Sequence, residues 1–203
     1  MLTPEQMAKF AKDNNMSAIA ITDHGKMSAY VDFVKECKKA GVKPIVGLEA
    51  YEVDNMFEKA DTKEYVQSRY HIIFLAKTQK GFQNLIQIAS ISNTIGKYKK
   101  PLIDINYIKE NNLGDGIICL TACMAGRVSR YLEQGRTKET LQFYNSLKDT
   151  FDDVYIELQA HSTSAQFDCN NNILEFAQDN DLQFVVTTDA HMLSAKDLQS
   201  HAM

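Results

Sequence analysis

The sequence has no tryptophan, three prolines, nine glycines and four cysteines in 203 residues. Glycine and proline this sparse exclude a collagen-like or low-complexity chain, and 44% hydrophobic with 24% charged residues excludes disorder as a description of the whole. Cys37, Cys119, Cys123 and Cys169 form no CxxC pair. That excludes a zinc-finger framework and a dense disulfide scaffold, and suits a reducing compartment. The longest uninterrupted apolar run, Ile72 to Ala76, is far short of a membrane span, and Met1-Leu2-Thr3-Pro4 lacks the charged and apolar segments of a secretion signal. The expectation is a soluble, cytoplasmic protein with no membrane partner. Positive charge is also in short supply: 22 Lys and Arg against 26 Asp and Glu leave a net charge of −4. No general positive field is present to hold a duplex by counterion release.

What the sequence does contain is a regular alternation of strand and helix patterns. Thr3-Pro4-Glu5-Gln6 is a capping box with proline in the first turn, opening a helix over about residues 4 to 14. Ser17 to Ile21 is short, apolar and β-branched, which predicts a buried parallel strand. Tyr30, Phe33, Val34 and Cys37 recur at helical spacing, and Gly41 follows as a stop. Pro44 to Tyr51 reads as the next strand, residues 52 to 69 as a polar excursion, and Tyr70 to Ala76 as another buried strand. The helix after it is expected to bury Phe82, Leu85, Ile86 and Ala89. Gly96 to Pro101 reads as a basic, irregular loop before a short helix near Asp104 to Asn111. Strands at Gly116 to Leu120, Val154 to Leu158 and Phe184 to Val186 alternate with helices near 124 to 134, 137 to 150 and 165 to 180. With no low-complexity linker, this predicts one parallel α/β domain over residues 1–203.

In parallel barrels and open sheets the reacting groups project from the carboxyl ends of strands. Here Asp23 and His24 follow one strand, Glu49 lies late in another, and His71 sits in the Tyr70 strand. Cys123 and His161 follow two more, and Asp189-x-His191 closes the series. Taken singly, Asp23-His24 also reads as a capping turn, Glu49 as a solvated strand end and His71 as a hydrogen-bonded half-buried histidine. Cys123 also reads as a small core residue, His161 as a cap of the following helix, and His201 as surface. Together at successive strand ends they point to a cluster holding zinc, manganese or iron, because imidazole and carboxylate suit these ions. Such a site activates water and neutralises phosphate oxygens. Phosphoester hydrolysis is the natural reaction, and carbonyl hydrolysis uses similar ligands.

Ala20 to Met27, Gly41 to Tyr51, Tyr70 to Lys77 with Gly81 to Leu85, Leu120 to Gly126, Ile156 to His161 and Thr187 to His191 resemble, in that order, the PHP (polymerase and histidinol phosphatase) domain. More narrowly they resemble the amino-terminal PHP domain of bacterial DNA polymerase III alpha subunits. The resemblance implies a distorted, TIM-like α/β barrel of about seven β/α units, with two or three divalent ions at the carboxyl ends of its strands. It implies metal-dependent phosphoesterase activity, in some members a 3′–5′ exonuclease acting on a DNA 3′ end. By position it makes His24, Glu49, His71, Cys123, Asp189 and His191 metal ligands, and Asp23 and His161 the catalytic candidates beside them. The family opens with a strand bearing His-x-His. This sequence contains no His-x-His, so the expectation is a barrel incomplete at its first strand, with an open seam and an impaired metal site. Nothing here matches a polymerase palm, fingers or thumb, so no polymerase activity is expected of the chain alone. The implied partners are the remainder of an alpha subunit or replisome and a separate proofreading exonuclease, which decayed members dock as a non-catalytic scaffold. A small-molecule phosphatase of histidinol-phosphatase type is a further alternative, and Gly81-Phe82-x-Asn84-Leu85 argues against it.

Overall fold

Thr3 opens α1 (Pro4–Asp13): its hydroxyl accepts from the Gln6 N–H, and the Gln6 side chain accepts from the Thr3 N–H at 3.0 Å. This computed structural model describes residues 2–58 and 68–192, so His201 and part of the 52–69 excursion lie outside the described residues. β1 (Ala18–Ile21) leads into α2 (Tyr30–Ala40), which buries Phe33 and Cys37 and ends on Gly41 in the left-handed conformation. β2 (Lys43–Glu52) is followed by β3 (Tyr70–Ala76), α3 (Gln79–Asn93), the short β4 (Lys97–Tyr98) and β5 (Lys100–Ile103), and α4 (Ile105–Glu110). The remainder is β6 (Ile117–Leu120), α5 (Arg127–Glu133), α6 (Thr137–Lys148), β7 (Asp153–Gln159), α7 (Ser164–Asp179) and β8 (Phe184–Thr187).

The strands run β4-β5-β2-β3-β6-β7-β8, with β1 on the β5 side of β2, paired to its first half. The sheet curls into an open, incomplete barrel. Among the described residues β1 pairs only with β2, β4 only with β5 and β8 only with β7, so three strands have an unpaired edge. The main core lies between the sheet and the helices outside it, with Leu48, Ile72, Phe74, Leu85, Ile117 and Ile156 fully or almost fully buried. Each such side chain contributes roughly 1.5–3 kcal/mol of apolar burial. Alternation puts Ile73 and Leu120 on the opposite, inner face, packed with Ala122, Leu75, Ile118, Tyr155 and Val185.

Four expectations are corrected. β3 is antiparallel to both β2 and β6, so the sheet is mixed; a strand buried on both faces carries no signal of direction. β1 is half exposed, because it has a neighbour on one side only and Ala20 faces solvent. Gly96 to Pro101 folds into the β4–β5 hairpin, with Lys99 at its apex in a left-handed conformation (φ 56°). In α3 the buried stripe is Gly81, Asn84, Leu85, Ile88 and Ser92, whereas Ile86 is exposed. The polar Asn84 belongs to that stripe because its amide donates to the Asp115 carbonyl at 2.9 Å.

Candidate metal centre

Three segments converge at one end of the curled sheet. The loop after β1 continues that strand's pairing along β2: the Glu49 N–H donates to the Asp23 carbonyl (3.2 Å) and the Gly25 N–H to the Glu49 carbonyl (2.7 Å). This holds His24 beside Glu49. Antiparallel pairing sets His71, the second residue of β3, opposite Tyr51 of β2. The turn after β6 completes the rim: the His71 N–H donates to the Ala125 carbonyl (3.1 Å), and the Gly126 N–H closes onto the Cys123 carbonyl (2.8 Å). A side chain at Gly126 would put its Cβ 2.3 Å from the Thr121 carbonyl oxygen, so only glycine lets the turn fold this tightly.

Glu49 is 4% exposed despite its charge. Its Oε1 lies 2.6 Å from His71 Nδ1 and its Oε2 3.4 Å from His24 Nε2, so one carboxylate spans two imidazoles. Among the described residues, ligand atoms of His24, Glu49 and His71 all lie within 4.8 Å of one another, close enough to share one metal ion. Cys123 Sγ is 3.5 Å from His71 Nδ1 and accepts from the Ala125 N–H. The contacts to Cys123 and Glu49 push His71 up to about 10, against the opposing effect of burial. Without metal, His71 is an imidazolium at neutral pH.

The remaining candidates lie at graded removes. The His191 ring stands 6.0 Å from the His24 ring, and its Nδ1 is 2.8 Å from the Asp189 carbonyl oxygen and 3.7 Å from Asp189 Oδ1. Asp189 and His191 therefore border the group of three without entering it. Asp23 stays in the rim beside His24, its carboxyl pushed up by burial. It is not a helix cap, since α2 begins after Ala29 with no side-chain cap. His161 is exposed and lines a surface depression with Ser162, Thr163 and Phe167. Among the described residues no hydrogen bond, ion pair or ring contact joins it to the cluster. Nor does it cap α7, because that hydroxyl is Thr163.

Three participants escape a reading by strand ends. The Tyr51 ring packs 5.3 Å from that of His71 and 6.1 Å from that of His24. Glu157, 3% exposed within β7, accepts from the Thr187 hydroxyl at 2.6 Å, while among the described residues its other oxygen has no partner within hydrogen-bond geometry. Burial pushes it up, and Asp189 adds to that. A charged residue inside the apolar run Val154 to Leu158 was the legible sign. The third is Arg127, whose guanidinium donates to both oxygens of Glu52 at 2.8 Å, to Tyr131 Oη at 2.7 Å, and pairs with Asp54. It also lies over the Tyr70 ring at 4.4 Å. Burial pushes Glu52 up to about 7 even beside this cation, whereas the two carboxylates push Arg127 above its already high ordinary value. The shifts pull in opposite senses for the pair. The two-pronged geometry, in which both carboxylate oxygens accept, is that of the ionised pair.

Residues 1–161 match the family model of the PHP domain. DNA polymerase III subunit alpha of Aquifex aeolicus is 33% identical over 205 residues, which cover 98% of this chain and 18% of that protein. Its counterpart in Borreliella burgdorferi is 34% identical over 190 residues, covering 92% and 16%. The chain thus spans less than a fifth of the length of these relatives. Among solved structures, one described as a metal-dependent phosphoesterase from Bifidobacterium adolescentis superposes with a TM-score of 0.53, covering 95% of this chain and 83% of that one at 14% identity. An amidohydrolase from Chromobacterium violaceum gives 0.50 over 91% and 83% at 12% identity. At such identities the likeness is one of fold alone. Since the family model spans 161 of 203 residues, the chain belongs to the PHP domain family.

Proposed function

We propose that the chain is a divalent-metal-dependent phosphoesterase module, working in DNA replication as a cytoplasmic segment of a polypeptide like DNA polymerase III subunit alpha. The observation that carries the reading is the convergence of His24, Glu49 and His71 within 4.8 Å from three separate segments. The donor set fits a divalent ion: two imidazoles and a buried carboxylate, with a thiol in contact and a further imidazole beside them, suit zinc, manganese or iron. His24, Glu49 and His71 hold it, with Cys123, Asp189 and His191 as further ligands. Such an ion supplies Lewis acidity toward a phosphoryl oxygen and lowers the pKa of water at the site. Glu49 keeps the two imidazoles in register, the β6–α5 turn closes one side, and Asp23, adjacent to His24, takes up a proton from the attacking water. The substrate of this reading is a DNA 3′ end.

Metal content after a mild chelator wash, measured beside hydrolysis of bis(p-nitrophenyl) phosphate, tests the proposal. Wild type retains metal and hydrolyses the ester, and Glu49→Gln and His191→Ala lose both. Metal-free wild type with no activity on added manganese or zinc refutes it. A scaffold role, seating a replisome partner or a proofreading exonuclease, is favoured by one feature. β8 exposes Phe184 and Val186 (47% and 66%) next to its unpaired edge. This second reading predicts partner binding that survives Glu49→Gln.

A further inference from the structure

Residues 65–103 contain no carboxylate and six Lys or Arg, in a chain whose net charge is −4. Lys97, Lys99 and Lys100 crowd onto the β4–β5 hairpin, and all three are exposed.

The hairpin is fixed against the candidate site. β5 extends the edge of β2, with Leu102 opposite Tyr51 and Ile103 opposite Glu52. Pro101 packs so closely under Gly25, the residue after His24, that a Cβ at Gly25 would lie 2.3 Å from its Cγ. The Asn93 amide donates to the Gly25 carbonyl at 2.7 Å, tying α3 to the same loop. On this base the Lys100 ammonium sits over the Tyr51 ring, 5.1 Å from its centroid and 3.4 Å from its hydroxyl. The same ring also meets the imidazoles of His71 and His24. A single phenol therefore separates an anchored cation from the candidate metal ligands. One residue back, the Lys99 ammonium lies 5.4 Å from the Tyr98 ring.

Cations interleaved with aromatic rings are what a single-stranded nucleic acid requires: ammonium groups meet successive phosphates, and rings offer a stacking face to bases. A small phosphate monoester would be held by the ligand cluster and would leave a second cationic surface one ring away unused. We propose that the Lys97–Pro101 hairpin, with Tyr51, is a subsite for the backbone of a single-stranded nucleic acid whose reacting phosphate lies at His24, Glu49 and His71. This rests on the phosphoesterase reading and its nucleic-acid substrate, and adds the surface that holds the strand and the side from which it enters.

Fluorescence anisotropy of a fluorescein-labelled oligothymidylate, titrated in EDTA across a range of salt, tests it. Single-strand affinity falls with salt with a log–log slope of about 0.7 per phosphate contact. Lys97→Ala/Lys99→Ala/Lys100→Ala therefore flattens the slope by about 2, and Lys100→Ala alone by about 0.7. Lys138→Ala/Lys148→Ala, on α6, leaves it unchanged. An unchanged slope in the triple variant, an equal loss in the α6 control, tighter binding of a duplex of the same length, or no binding by wild type at low salt overturns the proposal. EDTA keeps the outcome independent of the metal, and metal content is measured separately on the triple variant, which retains it. A chain that holds the oligonucleotide but no metal refutes the phosphoesterase reading alone. A chain that holds metal but shows no change of slope refutes the hairpin alone.

Discussion

Arg127 is the residue whose loss discriminates most between ways this site could be held together. Its guanidinium sits against Glu52 on β2, three residues beyond Glu49, and against Tyr70 on β3, next to His71, while its own helix begins just after the Cys123 turn. Arg127→Met keeps much of the stem volume and removes the charge. Breaking one side of a buried ion pair strands the other and costs about 3–5 kcal/mol. Asp54 adds little, because its side chain is 70% exposed and water screens it. In a domain this size that cost lowers the melting temperature by roughly 6–20 °C. The loss depends on pH. Without the cation, the folded pKa of Glu52 rises further above its ordinary 4.5, so folded protein binds a proton that unfolded protein has released. The variant therefore loses stability as pH rises above about 4.5, and its deficit in urea denaturation is smaller at pH 5 than at pH 8. Arg127→Met/Glu52→Leu removes both charges and recovers most of the stability, since a buried pair replaced by apolar groups is close to neutral. Divalent-ion affinity falls in the single variant and returns in the double. A single variant that loses less than about 1 kcal/mol, or a double variant no better than the single, refutes the stranded-charge account.

Three further outcomes follow from the site geometry. His71, raised to about 10 by Cys123 and Glu49, stabilises the metal-free fold fully below its ordinary 6.5 and loses that contribution as pH rises through about 10. Urea denaturation of metal-free protein between pH 6.5 and 10 should show this decline, with His71→Gln lacking it. Because an ion must displace that proton, apparent metal affinity rises about tenfold per pH unit over the same window, and a flat profile would exclude His71 as a ligand. Gly126→Ala forces a Cβ onto the Thr121 and Cys123 carbonyl oxygens, so it destabilises by about 1–3 kcal/mol and weakens metal binding. Wild-type melting and affinity would show that the turn has room.

Periodicity made the helices legible where the buried stripe was apolar throughout. Phe33 and Cys37 of α2 lie on the face their spacing predicts, and the Thr3 capping box forms as written. It misplaced the stripe of α3 because Asn84 and Ser92 are buried polar residues whose hydrogen bonds depend on distant or local carbonyls, invisible to a hydrophobic count. The hairpin at 97–103 was lost for a similar reason: strands of two and four residues joined by a two-residue ladder carry no alternation, and the pairing is imposed by docking on β2. At the site, His24 and Glu49 were readable as donors at strand ends. Arg127 was not, since nothing local distinguishes a helix-opening arginine from a solvated one until Glu52 and Tyr70 fold against it.

The reversal of β3 explains how a site of this kind forms at all. Were β3 parallel to β2, His71, second in its strand, would lie at the amino end, far from the carboxyl end where Glu49 stands. At about 3.3 Å of rise per residue, the five steps from His71 to Ala76 would carry it roughly 16 Å away. Antiparallel pairing brings the start of β3 to the finish of β2, with His71 opposite Tyr51 and Ile73 opposite Glu49. The same reversal seats β6 antiparallel on the far side of β3, so the carboxyl end of β6 delivers Cys123 to the same rim. One strand direction thus decides whether three of the donors can meet. It also sets the last residue of β2 opposite the first of β3, Glu52 facing Tyr70, at the end of the sheet where the donors gather.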